Sequence, residues 1–344
     1  MEQLIGLDVG YGFVKVTDAE EGYVFPSVVS IGHCGPSYAI RTRESVTVDD
    51  LKVIIGNQTY FVGKSAIQHS RIAFHDLSIA REENDDLRVL ILASLGLFAL
   101  RQGGDLNVVT GLPPGQLQLA SEMEGRIKGE HVLGIFHGGE PVQVRLRVKN
   151  VQVVPQPLGT YWSHVLDIDG QVICPLGGRV GVVDIGFRTT DLAAIEHGEF
   201  LPEKSHTVAV GMNNVYRDIQ SRLLTEYGIE RESCYLDEAV IRGQINVAGQ
   251  ARDIPKLMDE PFQRLASRLM VEIVSSWNMP EFDTMLLSGG GSNALGRYLL
   301  DRVPQARAVQ DPVTANSRGF PAWAHLLWGT EPRDQGRVPL PART

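Results

Sequence analysis

The chain alternates between short β-branched runs with a period of two and longer apolar stretches with helical spacing. Residues 4–9 form an apolar run ending at Asp8 and Val9. A turn carrying Gly10 and Gly12 follows, and Phe13–Val14–Lys15–Val16 alternates away from it. Period-two runs on both sides of a glycine turn predict a β-hairpin. Residues 23–31 continue as a strand, with Pro26 marking an edge or an irregular piece. Short alternating pieces at 45–48, 52–55 and 59–62 predict a small β-rich lobe, placed at about 32–75. Gly63–Lys64–Ser65–Ala66 looks like the tail of a Walker A loop, but Gln58 stands where the upstream glycine belongs, so a turn into a helix is predicted. Residues 87–100 are apolar nearly throughout and predict a buried helix too short to span a bilayer. A buried strand at 106–114, a helix over 117–127, strands at 142–148 and 151–154, and a helix over 161–166 complete this part.

The pattern then repeats. A β-branched run reaches Asp184, Gly186 follows two residues later, then Thr189 and Thr190, then a strand at 192–195. Downstream come an extended piece at 207–211, a helix over 212–227 and a second helix over about 255–277. A strand at 282–288 runs into Gly289–Gly290–Gly291, with a helix over 294–300. Two strand–Asp–x–Gly–turn–strand units predict two similar halves, at 1–160 and 161–328, each offering a carboxylate and a backbone nest to one shared ligand. Residues 329–344 have little to bury and are expected to be disordered.

Composition narrows the class. A chain of 344 residues with 43% hydrophobic and 21% charged residues is that of a globular protein with room for two cores. The start of the chain enters a strand at once, so no signal peptide is expected, and no run is apolar enough for a membrane span. Three scattered cysteines without metal spacing predict free thiols and a cytoplasmic location. The net charge of −9 argues against direct, sequence-independent binding to nucleic acid.

The hairpin residues point to phosphate chemistry. Without Cβ atoms at Gly10 and Gly12, backbone N–H groups can close on phosphate oxygens. Asp8 can hold a Mg²⁺ through its water shell, and Lys15 can reach back as a point charge. The hairpin alone is more often just a turn; the copy at Asp184 shifts the balance. Three glycines between a strand and a helix permit close approach of a ligand.

In this order the parts resemble the ATPase superfamily of actin, heat-shock chaperones and sugar kinases, and within it the bacterial and archaeal actin-like proteins of the ParM plasmid-segregation type. The resemblance runs from Leu4 to about Phe320, through five segments: residues 8–15, 153–160, 184–191, 287–293 and 313–319. Phe25–Pro26–Ser27 and the segment 108–113 favour the ParM-like branch. The resemblance implies an α/β fold of two ribonuclease-H-like (actin-fold) domains flanking a nucleotide cleft, with a small β-rich insertion in the first. It implies ATP or ADP with Mg²⁺ as ligands, Asp8 and Asp184 holding the metal largely through water, and Lys15 on the β- and γ-phosphates. Gly10, Tyr11, Gly12, Phe13 and Gly186 would offer backbone N–H groups, with Thr189 adding a hydroxyl. Gly289, Gly290 and Gly291 would line the adenosine, and the helix after Gly211 would form its other wall. Gln156 would position the attacking water, or serve only as a turn residue between its two prolines. Phe187 and Arg188 replace small residues; Arg188 would touch a phosphate or remain a solvated turn residue. His75 and His164 have no pattern suggesting catalysis.

The implied activity is slow, assembly-linked ATP hydrolysis by a protein that polymerises into filaments, for DNA segregation through a DNA-bound adaptor protein or for intracellular organisation. A metabolic kinase of the same superfamily is the alternative, although no sugar-binding segment stands out. A non-polymerising nucleotide-binding scaffold is the third reading.

Overall fold

The computed structural model describes residues 2–32, 48–69, 85–102, 104–137, 140–230, 233–247 and 250–329. In chain order the first half runs β1 (Gln3–Val9), β2 (Phe13–Thr17), β3 (Gly22–Pro26), β4 (Val29–Ile31), β5 (Lys52–Ile55), β6 (Gln58–Val62), α1 (Lys64–His69), α2 (Asp85–Gln102), β7 (Asp105–Leu112), α3 (Ala120–Ile127), β8 (Gly129–His137), β9 (Glu140–Pro155) and α4 (Pro157–Val165). The second half runs β10 (Arg179–Ile185), β11 (Thr190–Glu196), β12 (Glu199–Val208), α5 (Met212–Tyr227), α6 (Ser233–Arg242), β13 (Gln244–Val247), β14 (Gln250–Asp253), α7 (Pro255–Ser276), β15 (Thr284–Ser288), α8 (Ser292–Leu299), β16 (Ala306–Ala308) and α9 (Ala315–Trp328).

Two sheets of matching topology result. The first begins β3-β2-β1-β7-β9 and the second is β12-β11-β10-β15-β16. In each, two antiparallel pairings are followed by two parallel ones. The repeat seen in the sequence is therefore a repeat of topology, and the fold is the expected two-part actin-type α/β arrangement. Central strands such as β10 are buried on nearly every residue, as parallel sheets covered on both faces must be.

Helices cover the sheets by close approach. The near-apolar α2 is buried continuously from Val89 to Ala99, and a Cβ on its Gly96 would stand 2.7 Å from Ile135 of β8. The last helix, α9, returns to cover β1 and β7, whereas α4 leans on β10, β11 and β15. Gly6 of β1 makes this possible, since a Cβ there would lie 2.3 Å from the Ser317 carbonyl oxygen. The two helices cross with the Trp162 and Trp323 rings stacked 4.3 Å apart.

Several local expectations are corrected. The strands expected at 142–148 and 151–154 are one sixteen-residue strand, β9. A register shift against β7 occurs where the alternation changes phase, with Leu106 facing Val148 and Asn107 facing Asn150, so that Lys149 is the extra residue of a bulge. Helix α4 begins at Pro157, because proline at the first turn is preorganised for a helix. The helix expected over 117–127 is a 3-10 turn, Pro114–Leu119, running into α3. The strands of the small lobe join the first sheet through β5 and β8. Of the extended piece placed at 207–211, only residues 207 and 208 are strand, as the end of the longer β12. The expectations for residues 45–47, for His75 and for the tail from 330 onward lie outside the described residues.

Candidate functional site

The two hairpins face one another across a cavity. Asp8, buried near the end of β1, stands directly opposite Lys15 of β2, and opposite residues of an antiparallel pair share a face. Lys15 Nζ accordingly donates to Asp8 Oδ2 at 3.1 Å. The other oxygen, Oδ1, is buried without a hydrogen-bond partner. In the second copy, Asp184 stands opposite Asp191 of β11 and beside Ser288 of β15. Asn316 Nδ2 donates to Asp184 Oδ2 at 2.6 Å, and Thr207 Oγ1 donates to Asp191 Oδ1 at 2.6 Å. Burial, then the neighbouring Asp8 charge, raises the Asp184 pKa to about 6 against the opposing Asn316 hydrogen bond. Burial, then Asp184, raises that of Asp191 to about 8. Asp8 and Asp184 are buried oxygen donors of the kind a hard cation takes.

The turns close alike in both copies. Gly10 N–H donates to the Phe13 carbonyl at 3.1 Å, and Gly186 N–H donates to the Thr189 carbonyl at 2.9 Å. These two amides are engaged in the turns themselves, and both glycines line the cavity. Ser27, from the early Phe25–Pro26–Ser27, fixes the first turn by donating its N–H to the Gly12 carbonyl and its hydroxyl to the Gly10 carbonyl. The bulky pair of the second turn reaches across to the first. Phe187 packs against Gly12, where a Cβ would lie 3.0 Å from the Phe187 Cβ, and the Arg188 guanidinium lies 5.2 Å from the Tyr11 ring centroid. Arg188 is half-buried, with its guanidinium on the Tyr11 ring.

The triple glycine has distinct tasks. Gly289 has φ +82°, and a Cβ on it would strike Asp184 Oδ1 at 2.3 Å. Gly291 N–H donates to the Ile185 carbonyl at 2.9 Å, locking the loop to β10. Gly290 has no neighbour within 4 Å of a Cβ and faces open space.

The cavity has a volume of about 770 Å³ and is walled by both halves. Asp8, Lys15, Asp184, Asp191, Gln156 and Thr189 line its centre, together with the glycines at 10, 12, 186 and 289–291 and with Tyr11 and Phe13. One end is apolar, formed by Met212, Tyr216, Val240, Met258, Phe262 and Ala294. That division, charged centre and apolar end, matches phosphates joined to a heterocycle. Gln156 enters at the junction of β9 and α4, and Gly111 lets it approach, since a Cβ there would lie 2.7 Å from the Gln156 Cα. Its side-chain amide has no protein partner among the described residues. Gly211 lies behind the second turn, not on the cavity wall, where a Cβ would meet the Phe187 carbonyl at 2.7 Å. The Met212 and Asn213 N–H groups that follow it donate to the Gly186 and Phe187 carbonyls. Among the described residues no three His, Cys, Asp or Glu side chains converge to ligate an ion unaided. A divalent cation would draw further oxygens from water and a ligand, as Mg²⁺ commonly does.

Asp191, Thr207, Asn316 and Thr160 were not singled out from sequence. Asp191, Asn316 and Thr160 each lie inside a segment that carried the resemblance, so the hairpin register around Asp184 could have exposed at least Asp191.

Comparison with known proteins decides the family. Residues 6–159 match the family described as the N-terminal domain of actin-like proteins, and residues 182–301 match the C-terminal domain of the archaeal, MreB-like actin homologue. The chain is an actin-like protein. No curated protein sequence matches it. Among solved structures, this actin-like chain is similar to a subunit of a 15-stranded ParM filament from Clostridium botulinum, at 22% identity and a TM-score of 0.79, over 95% of this chain and 100% of that one. An archaeal actin homologue in complex with ADP matches at 20% identity and a TM-score of 0.76, over 94% of this chain and 99% of that one. Bacillus thuringiensis ParM with AMPPNP matches at 16% identity and a TM-score of 0.71, over 94% and 98%. At these identities the likeness speaks for the fold. Among the described residues no helix is long and apolar enough to cross a membrane.

Proposed function

We propose that this actin-like protein binds Mg-ATP in the cavity between its halves, hydrolyses it slowly to ADP and phosphate, and assembles head to tail into filaments. The observation that carries the reading is the convergence of Asp8, Lys15 and Asp184 from two matching hairpins on one cavity, with Asp8 Oδ1 buried and unpartnered. The donor set fits a hard cation with oxygen ligands, and Asp8 and Asp184 would hold Mg²⁺ through water. Bound there, the metal would neutralise phosphate charge. Lys15 would place a positive charge on the β- and γ-phosphates, and the apolar end would hold the base, with Gly290 giving the sugar room. Gln156, whose amide is uncommitted, would orient the attacking water; a loose phosphoryl-transfer transition state asks for positioning more than for a strong base. A heterologous contact that does not close produces a helical polymer, and closure of the halves around nucleotide would change how subunits fit. The likeness to a ParM filament subunit supports self-association, and segregation of DNA through an adaptor protein is the cellular role we favour.

Titration calorimetry with ATP and ADP, with and without Mg²⁺, tests the site. Magnesium-linked uptake that is lost in Asp184→Asn is expected, and no uptake of either nucleotide overturns the proposal. Electron microscopy and pelleting with Mg-ATP test assembly; a protein that stays monomeric at high concentration removes the filament part.

A further inference from the structure

We infer that Thr207 is a positioning residue whose hydroxyl latches the two halves together beside the cavity while it orients Asp191. The inference rests on the nucleotide-site reading above and adds to it a residue of β12 that no part of that reading uses.

Three strands of the second sheet place one residue each in a single row. Asp184 of β10 faces Asp191 of β11, and Asp191 faces Thr207 of β12. Residues directly opposite in antiparallel pairs project from the same face, so the row runs from the cavity carboxylates to the edge of the sheet. At that edge the first half arrives. The N–H of Gly115, in the 3-10 turn Pro114–Leu119, donates to Thr207 Oγ1 at 3.1 Å. Thr207 Oγ1 in turn donates to Asp191 Oδ1 at 2.6 Å.

A hydroxyl has one proton and two lone pairs, so it can serve both groups at once. Its proton goes to Asp191 Oδ1, which accepts whether the carboxyl is ionised or holds its proton on the other oxygen, and a lone pair is then free for the Gly115 amide. Such linked bonds strengthen one another, so the orientation of Asp191 and the contact between halves rise and fall together. Parting the halves removes the Gly115 donor and frees Thr207 to rotate. Asp191 then loses the bond that fixes it toward Asp184. Gly115 suits the contact, because a Cβ there would come only to 3.4 Å from Thr207, an ordinary contact distance, and the approach is set by the backbone amide.

The test compares Thr207→Val, which keeps the shape and removes the hydroxyl, with Thr207→Ser, which keeps the hydroxyl. Stopped-flow release of a fluorescent ADP from the full chain in Mg²⁺ is expected to be about tenfold faster in Thr207→Val, the upper scale of one hydrogen bond. The association rate should be unchanged, and Thr207→Ser should stay within about twofold of the parent. Release at the parent rate in Thr207→Val overturns the inference, as does equal loss in both variants. If the parent chain takes up no ADP, the nucleotide reading fails by itself. The latch is then read from hydrogen exchange at the Gly115 amide, expected to be faster in Thr207→Val than in the parent; equal exchange overturns it.

Discussion

Asn316 donates from Nδ2 to Asp184 Oδ2 at 2.6 Å, fixing the carboxylate at the end of β10 to the first turn of α9. The same side chain accepts, at Oδ1, the Thr160 N–H at 3.1 Å and the Thr160 hydroxyl at 2.7 Å. One buried amide thus joins the cavity to the crossing of α4 and α9. Asn316→Ala leaves three buried groups short of a partner. Each such group costs about 1–3 kcal/mol when nothing replaces the bond. The expected result is a loss of at least about 2 kcal/mol, read as a lower urea midpoint with an unchanged slope.

The raised carboxylates set a pH dependence whose sign is fixed. Asp184 at about 6 and Asp191 at about 8 both lie above the usual 3.8, chiefly through burial, so the folded chain holds protons that the unfolded chain has released. Their stabilising contribution is complete below about pH 4 and is lost as pH rises through about 6 and then about 8. Thermal unfolding without nucleotide should therefore show stability from these groups declining between about pH 4 and pH 8.5. Asp191→Asn should flatten the upper part of that decline. A variant with the parent's slope would show that Asp191 does not titrate in this range.

Gly289 and Gly290 separate folding from binding. Alanine at Gly289 meets φ +82° and a contact of 2.3 Å with Asp184 Oδ1, so both backbone strain and displacement of the carboxylate oppose it. The left-handed conformation alone costs roughly 1–2 kcal/mol for a side chain. Gly289→Ala should lower stability by at least that amount and weaken ADP binding. Gly290→Ala meets nothing within 4 Å, so its melting temperature should stay near the parent's while ADP affinity falls. Equal effects of the two substitutions on melting would contradict the geometry.

What was legible in the sequence was local. The two Asp–x–Gly units could be found because a tight turn and a carboxylate at a strand end need particular residue types a few positions apart. The Asp191–Thr207 pair was not legible, since strand register joins residues sixteen apart and no short pattern marks it. Helix α9 was missed because Gly319 and Pro321 interrupt its helical pattern; Gly319 serves the close crossing with α4, and Pro321 packs against Gly6 of β1. The strand at 140–155 was split because the bulge at Lys149 changes which face each residue takes. Phe187 and Arg188 were legible as departures, yet their partners, Gly12 and Tyr11, lie in the other half.

The crossing of α4 and α9 gives the sharpest stability test. A Cβ on Gly319 would stand 1.9 Å from the Gly159 carbonyl oxygen, and one on Gly159 would stand 2.4 Å from that of Asn316. The opposing atoms are backbone, so neither helix can yield by changing a rotamer. Separating the helices would unstack Trp162 from Trp323 and pull Asn316 away from Thr160 and Asp184. Gly319→Ala should therefore cost at least about 2–3 kcal/mol, toward the upper range for overpacking. Gly296→Ala in α8, whose Cβ would find its nearest neighbour at 3.7 Å, should be neutral or stabilising by up to about 1 kcal/mol. Urea unfolding of the two variants beside the parent decides it: if Gly319→Ala melts with the parent, the helices can part without cost, and the link from their crossing to Asp184 is not rigid.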